Sequence, residues 1–86
     1  MRRIAAHYIF WKQLLPLHYM ELDDNNLFVG VFPLKEELAG TEFADGVVYP
    51  ATEDMTDQIT SLKELEISGV TDCICLGDRV VINQLR

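Results

Sequence analysis

Four side chains in this sequence are of types that bind transition metals or act as nucleophiles: His7, His18, Cys73 and Cys75. A structural zinc site needs four such ligands, usually in close pairs such as C-x-x-C or H-x-x-x-H. Here one residue separates the two cysteines, and the histidines lie far apart. We therefore expect no metal and no cofactor. We interpret the histidines as hydrogen-bonded strand residues and the cysteines as small apolar core residues.

A cysteine nucleophile is the second chemistry that these side chains could support. It needs a neighbouring base and an electropositive setting that favours the thiolate. Asp72 directly precedes Cys73 and acts in the opposite direction. The sequence leaves open whether His7 or His18 approaches a thiol in space.

The carboxylates are numerous, but each group of them has a structural explanation. The groups are Asp23-Asp24 in a turn cluster, Glu36-Glu37 on a solvated helical face, and Glu53, Asp54 and Asp57 at a helix start. The chain also lacks a P-loop, a G-x-G-x-x-G motif and a G-x-S-x-G motif. We predict no catalytic, cofactor-binding or metal-binding residue, which favours a protein that is not an enzyme.

Aromatic side chains near the start of the chain could line a ligand pocket or a partner surface. They are Tyr8, Phe10, Trp11 and Tyr19. A chain of 86 residues has few other large apolar side chains for its centre, so we expect most of this group in the core. Trp11, which Lys12 follows, is the member expected to anchor an interface.

The charge balance argues against two classes of partner. The net charge is −7, whereas nucleic-acid surfaces and anionic membranes attract clustered Lys and Arg. No run approaches the roughly 20 apolar residues of a membrane span, and the first residues lack a signal-peptide cleavage site. On one strand, Cys73 and Cys75 would lie about 7 Å apart, too far for an unstrained disulfide. Reduced thiols favour a cytoplasmic location.

The elements that would position these side chains belong to one domain, residues 1–86. The first half is expected to be mostly β, with a hairpin turning at Asp23 to Asn26, where Asp and Asn tolerate turn conformations. The expected segments are a strand at Ile4–Trp11, a break at Lys12–Pro16, strands at Leu17–Leu22 and Leu27–Phe32, a helical turn at Lys35–Leu38, a tight turn at Asp45-Gly46, and a short strand at Val47–Tyr49 stopped by Pro50. Gly30 inside its strand is expected to mark a bulge or a close approach of another backbone.

The second half begins with a helix predicted over about 53–68. Met55, Ile59, Leu62 and Leu65 form its apolar stripe, and Gly69 caps its end. A last hairpin, Val70–Leu76 and Arg79–Leu85 around Gly77-Asp78, would set Cys75 opposite Val80 and Cys73 opposite Ile82. The expected fold is α+β and mostly β: a small sandwich or partly open barrel of about five or six strands, with the helix packed across it.

Three segments in the first fifty residues resemble a known family. They read RIAAHYIF (3–10), MELDDNNLFVGVFPL (20–34) and EFADGVVYP (42–50). In this order they resemble the small N-terminal β domain of the amidohydrolases, the metal-dependent hydrolases that include cytosine deaminase and imidazolonepropionase. That domain is composite in the family, with final strands returning from the C-terminus, and Thr71 to Leu76 resembles such a strand.

The chain departs from this family after Pro50. There the family supplies two metal-binding histidines in an H-x-H motif and enters its catalytic barrel, whereas this chain continues into the predicted helix. The resemblance therefore implies a shared fold without the activity.

Three functional hypotheses remain open. The first, which we favour, is a non-catalytic accessory or protein-interaction domain that self-associates as a homodimer or binds a protein partner, because a solitary β domain has an apolar face to cover. The second is a domain that binds a small neutral or cationic molecule. The third is a hydrolase-related protein that needs a partner for activity.

Overall fold

The computed structural model describes residues 1–36, 39–52 and 59–85, and these form one six-stranded sheet with short helical segments. The strands are β1 (Arg2–Trp11), β2 (Gln13–Pro16), β3 (His18–Leu22), β4 (Phe28–Pro33), β5 (Glu42–Ala51) and β6 (Val81–Leu85). Helix α1 spans Leu62–Ser68, and a 3₁₀ turn spans Val70–Cys73. This architecture confirms the α+β, mostly β class. In the described part of the chain, no helix has the length and apolar character needed to cross a bilayer.

Strand β1 is the centre of the sheet, whose order is β4-β3-β1-β5-β6. It runs parallel to β5, and the other neighbours pair antiparallel. Strand β3 pairs with the first half of β1, and β2 pairs with the second half. Both pairings have the same register, and Leu17, whose φ is 56°, separates the two strands. The predicted first strand is therefore confirmed. The predicted break at Lys12–Pro16 is wrong, because β2 occupies most of it.

The sheet is not closed into a barrel, but its two edges meet near one end. The Phe28 N–H donates to the Asp78 carbonyl and the Gly77 N–H donates to the Phe28 carbonyl, both at 2.8 Å. Phe28 begins edge strand β4, and Gly77 and Asp78 lie shortly before edge strand β6. The sheet must curl to bring these edges together, which agrees with the expected partly open barrel.

The hairpin of β3 and β4 is confirmed, together with its turn. The Asp23 carboxylate accepts hydrogen bonds from the N–H groups of Asn25 at 2.8 Å and Leu27 at 3.0 Å. Asn26 adopts a left-handed φ of 64°, which Asn tolerates better than most residues. The pairing register shifts before Gly30, so the bulge expected there is also present.

Strand β5 is longer than the predicted short strand. The turn predicted at Asp45-Gly46 is wrong: both residues lie inside β5, at a bulge where the register against β1 shifts, and Gly46 has a φ of 74°. Pro50 does not stop the strand, because it pairs with Ile82 of β6. The pairing with β1 ends at Val48, so the missing N–H of Pro50 interrupts no ladder on that side.

Two apolar clusters hold the sheet to the rest of the chain. The first packs the sheet against the segment that follows the 3₁₀ turn and consists of Ile4, Ala6, Ile9, Met20, Leu22, Phe28, Val48, Ile74 and Val80. The second packs it against α1 and consists of Phe10, Tyr49, Ala51, Leu65 and Val70. Burial raises the pKa of the Tyr49 phenol in this second cluster. Helix α1 thus covers only the part of the sheet that carries the second cluster.

Helix α1 is shorter than the helix predicted over 53–68. Its N-cap is Ser61, whose hydroxyl accepts the Glu64 N–H at 3.2 Å, while the Glu64 side chain accepts hydrogen bonds from Thr60. This variant of the capping box, in which Glu64 bonds to the residue before the N-cap, begins a helix at Leu62, and Ile59 and Thr60 are not helical. The helix ends at Gly69, as predicted, with a left-handed φ of 65°. Residues 53–58, and with them Met55 and the carboxylates assigned to the helix start, lie outside the described residues.

The predicted last hairpin is wrong. Val70–Cys73 forms a 3₁₀ turn instead of a strand, and β6 pairs with β5. The Thr71 hydroxyl, buried in the core, accepts the Lys12 N–H at 2.9 Å, a tertiary contact that replaces strand pairing. The pairs Cys75–Val80 and Cys73–Ile82 are therefore not formed, although a turn does join Cys75 to Asp78.

The predicted helical turn at Lys35–Leu38 lies partly outside the described residues. Lys35 and Glu36 are not helical, and residues 37 and 38 are not described.

Candidate functional site

The four candidate metal ligands and nucleophiles occupy separate settings. His7 lies exposed on β1, and one nitrogen of His18 contacts the Pro16 carbonyl at 2.8 Å. Cys73 and Cys75 are free thiols at the surface, so their assignment to the core is wrong. Within residues 1–36, 39–52 and 59–85, no three His, Cys, Asp or Glu side chains form a group that could hold a metal ion.

The exposure of the two thiols gives a direct test of the chain path around Ile74. Ile74 is buried, whereas Cys73 and Cys75 on either side of it are exposed. We expect both thiols of the native protein to react with an aromatic disulfide reagent before any denaturant is added. Reaction of only one thiol, or of none until unfolding, would contradict this path; a core hairpin would give that result.

The predicted aromatic group divides between core and surface. Phe10 is buried in the second cluster, and Trp11 packs against Phe28 with ring centroids 4.6 Å apart. The Lys12 ammonium lies 5.2 Å from the Trp11 ring centroid. Tyr8 is 41% exposed, and Tyr19 is half-buried. The expectation of a mostly internal group thus holds for Phe10 and Trp11 but not for Tyr8.

Tyr19 belongs to a line of side chains that crosses four strands. The register pairs Phe32 of β4 with Tyr19 of β3, Tyr19 with Ala5 of β1, and Ala5 with Phe43 of β5. Directly paired residues lie on the same face of a sheet, so these four side chains form a continuous line, here called the aromatic row. With strands about 4.8 Å apart, the row is roughly 14 Å long.

The aromatic row is apolar and open to solvent. Phe43 is 64% exposed and Phe32 is 37% exposed. The Tyr19 and Phe32 rings lie 5.6 Å apart, and the His7 ring meets Phe43 edge-on at the same separation. Ala5 is itself buried, so other atoms of this chain cover it and the exposed rings form two groups, Phe32 with Tyr19 and Phe43 with His7. The order of sizes is therefore large, large, small, large.

One ion pair and one further carboxylate lie near the aromatic row. Arg3 and Glu21, each two residues from a member of the row, pair across β1 and β3, with Nε and Oε1 3.0 Å apart. Glu42, which neighbours Phe43 in sequence and so points to the opposite face of the sheet, accepts two hydrogen bonds from the Arg2 guanidinium, at 2.6 and 3.1 Å. These bonds hold the pKa of the Glu42 carboxyl below its usual range. Asp45, two residues from Phe43 on β5, adds an exposed carboxylate near this end of the row.

Sequence reasoning missed Phe32, Phe43 and Ala5 as surface residues. They come from three strands and are joined only by the register of the sheet. One local signal was present: Phe43 stands alone in a stretch of small and polar residues, Thr41 to Gly46. A large aromatic in such a stretch has few neighbours along the chain to bury it.

Two surface hollows lie among the described residues. A groove of about 270 Å³ is lined by Arg2, Asn26, Arg79 and residues 80–82. A smaller hollow of about 160 Å³ is lined by Tyr19, Pro33, Lys35 and Glu36. Both are open to solvent. The two guanidinium groups of the larger groove do not suit a cationic ligand.

Comparison with known proteins finds no matching family model, no matching curated protein and no matching solved structure.

Proposed function

We propose that this chain is a non-catalytic interaction domain that self-associates through the aromatic row. The observation that carries the proposal is the line of Phe32, Tyr19 and Phe43, which presents rings to solvent from three strands on either side of the buried Ala5 of β1. Contiguous exposed apolar side chains on a small domain mark an interaction surface more often than scattered ones do. Aromatic residues are also the side chains that contribute most to interface energies.

Charge favours a second copy of the chain as the occupant of this surface. Two chains of net charge −7 repel each other over most of their surfaces, so self-association needs a region without net charge. The Tyr19 side of the aromatic row lies beside the balanced pair Arg3 and Glu21, which lowers the repulsion there.

The size of the aromatic row indicates how tightly two chains should associate. A patch roughly 14 Å long with a few flanking residues falls at the lower end of specific interfaces, so we expect a dissociation constant of roughly 1 to 100 µM. Sedimentation equilibrium across that range should show a concentration-dependent change from the mass of one chain to twice that mass. A single-chain mass throughout would contradict the proposal.

The salt dependence of self-association distinguishes an apolar interface from one held by ion pairs. Added salt screens the repulsion between two chains of net charge −7, so self-association through the aromatic row should tighten between low and physiological ionic strength. Weakening of the dimer by salt would instead indicate an interface held by ion pairs.

The relation to the amidohydrolase β domain forms part of this proposal. Thr71 to Leu76, the segment expected to return as a strand, contains the 3₁₀ turn instead, and support comes only from β6, which joins the same sheet as the first strand and hairpin. In that family the small domain packs against a barrel, and a second copy would take the place of the barrel here. A cytoplasmic location is proposed with it, because the exposed thiols of Cys73 and Cys75 would oxidise in a secreted protein.

A further inference from the structure

We propose that the larger groove, between the start of β1 and the outer edge of β6, binds a small molecule through a phosphate group. Its volume is about 270 Å³, just below the roughly 300 Å³ at which pockets for drug-sized ligands begin, so its occupant must be small. The inference does not depend on self-association. Arg2 of the groove shares a face of β1 with Ile4, whereas the aromatic row lies on the opposite face with Ala5.

The composition of the groove is the first argument. The chain has 14 acidic and seven basic residues. Two of those seven, Arg2 and Arg79, line this groove together with Asn26 and residues 80–82, and the described lining contains no carboxylate. The groove therefore reverses the charge balance of the whole chain and is suited to an anion.

Arg79 supplies the charge that is available to a ligand. Its side chain is exposed, and within the described ranges its guanidinium forms no salt bridge. The backbone fixes its place, because Arg79 pairs with Leu27 in an isolated bridge beside the bond from the Val80 N–H to the Asn26 carbonyl, at 3.1 Å. A guanidinium is a planar fork of donors that can bond two oxygens of one phosphate.

Arg2 adds donors whose position is fixed in advance. Its Nε and one terminal nitrogen donate to the Glu42 carboxylate at 2.6 and 3.1 Å. A guanidinium carries five N–H groups, so donors remain that Glu42 does not use. Glu42 cancels the charge of Arg2, and the net attraction for an anion then comes from Arg79. In return, Glu42 restrains the Arg2 side chain, which reduces the entropy that binding would cost.

The outer edge of β6 contributes a backbone donor. The Val80 N–H points away from β5, toward Asn26. Because N–H groups alternate in direction along an antiparallel strand, the Ile82 N–H points the same way, where the described sheet has no further strand. Pro50, which is paired with Ile82, has no N–H to complete a bonded pair and agrees with this direction. A phosphate has three oxygens for donors that arrive from separate segments, whereas a carboxylate has two.

Titration with inorganic phosphate tests the site. At neutral pH and constant ionic strength, which keeps electrostatic screening equal, two-dimensional NMR should show saturable shifts of the Ile82 N–H and the Arg79 Nε–H. We expect a dissociation constant of roughly 1 to 10 mM, and binding of acetate at least about fivefold weaker. Absence of saturable shifts at these two groups, or equal affinities for phosphate and acetate, would overturn the proposed site.

Two variants that remove one positive charge each distinguish a site from a net-charge effect. Arg79→Gln should weaken phosphate binding at least about tenfold. Lys63→Gln is the matched control, since Lys63 is exposed on helix α1, and it should change the affinity by less than about twofold. Equal weakening by the two variants would overturn the site. Arg79→Gln should leave self-association unchanged in sedimentation equilibrium, so a failure of phosphate binding is separate from a failure of the proposed function.

Discussion

Phe43→Glu should abolish self-association at concentrations where the unmodified protein is a dimer. Phe43 is the most exposed ring of the aromatic row, at 64%. A carboxylate in its place would be desolvated without a partner, which costs at least about 2 kcal/mol. Because a two-fold dimer contains the substitution twice, the total of about 4 kcal/mol corresponds to roughly a thousandfold loss of affinity. Sedimentation equilibrium measures this change.

Ile67→Glu is the matched control for this experiment. Ile67 is also a large exposed apolar residue, at 74%, but it lies on helix α1 rather than in the aromatic row. It introduces the same charge and should leave the dissociation constant within about threefold of that of the unmodified chain. If Phe43→Glu and Ile67→Glu weakened the dimer equally, net charge and not the aromatic row would explain the effect.

Phe28→Ala should have the largest effect on folding. Its ring is 1% exposed and packs against Trp11, and its backbone joins β4 to Gly77 and Asp78 near the other edge of the sheet. Removal of a buried phenylalanine ring costs about 3 to 5 kcal/mol. A chain of this length has a total stability of only about 4 to 13 kcal/mol, so the variant should be partly or largely unfolded.

Urea unfolding followed by tryptophan fluorescence measures this loss, because Trp11 is the only tryptophan and contacts the ring. The protein concentration should be held constant, since a dimer is stabilised by mass action. Ile67→Ala, which shortens an apolar side chain at the surface instead of in the core, should change the free energy of unfolding by no more than about 0.5 kcal/mol. A loss below about 1 kcal/mol for Phe28→Ala would show that its ring is not part of the core.

The sequence predicted those elements that depend on local patterns. The apolar run of β1, the turn chemistry of Asp23 to Asn26 and the glycine at the end of α1 each act through residues a few positions apart. Secondary-structure propensity gave a wrong prediction where a contact with a distant residue determines the conformation. Residues 70 to 76 are rich in β-forming types, yet the buried contact of Thr71 with Lys12 fixes a 3₁₀ turn there.

Pro50 shows a second reason for failure. A proline argues against a central strand because it lacks an N–H, and β5 does lie between two other strands. The argument holds only where both neighbours reach the proline, and β1 pairs no further along β5 than Val48. The aromatic row was beyond sequence reasoning for a related cause, since its members become neighbours only through the sheet register.

The parallel pairing of β1 with β5 also has a consequence for the order of folding. Ile4 is aligned with Glu42 and Ile9 with Val48, so the central strand finds its parallel neighbour only after about forty intervening residues have been made. Contacts between distant positions slow folding, because the loop must close before the contacts contribute. During synthesis, the hairpin of β3 and β4 can pair with β1 early, while the opposite edge of β1 stays open until β5 leaves the ribosome. In that interval, β1 would offer unpaired N–H and C=O groups along an apolar strand, which makes the nascent chain most prone to aggregate at this stage.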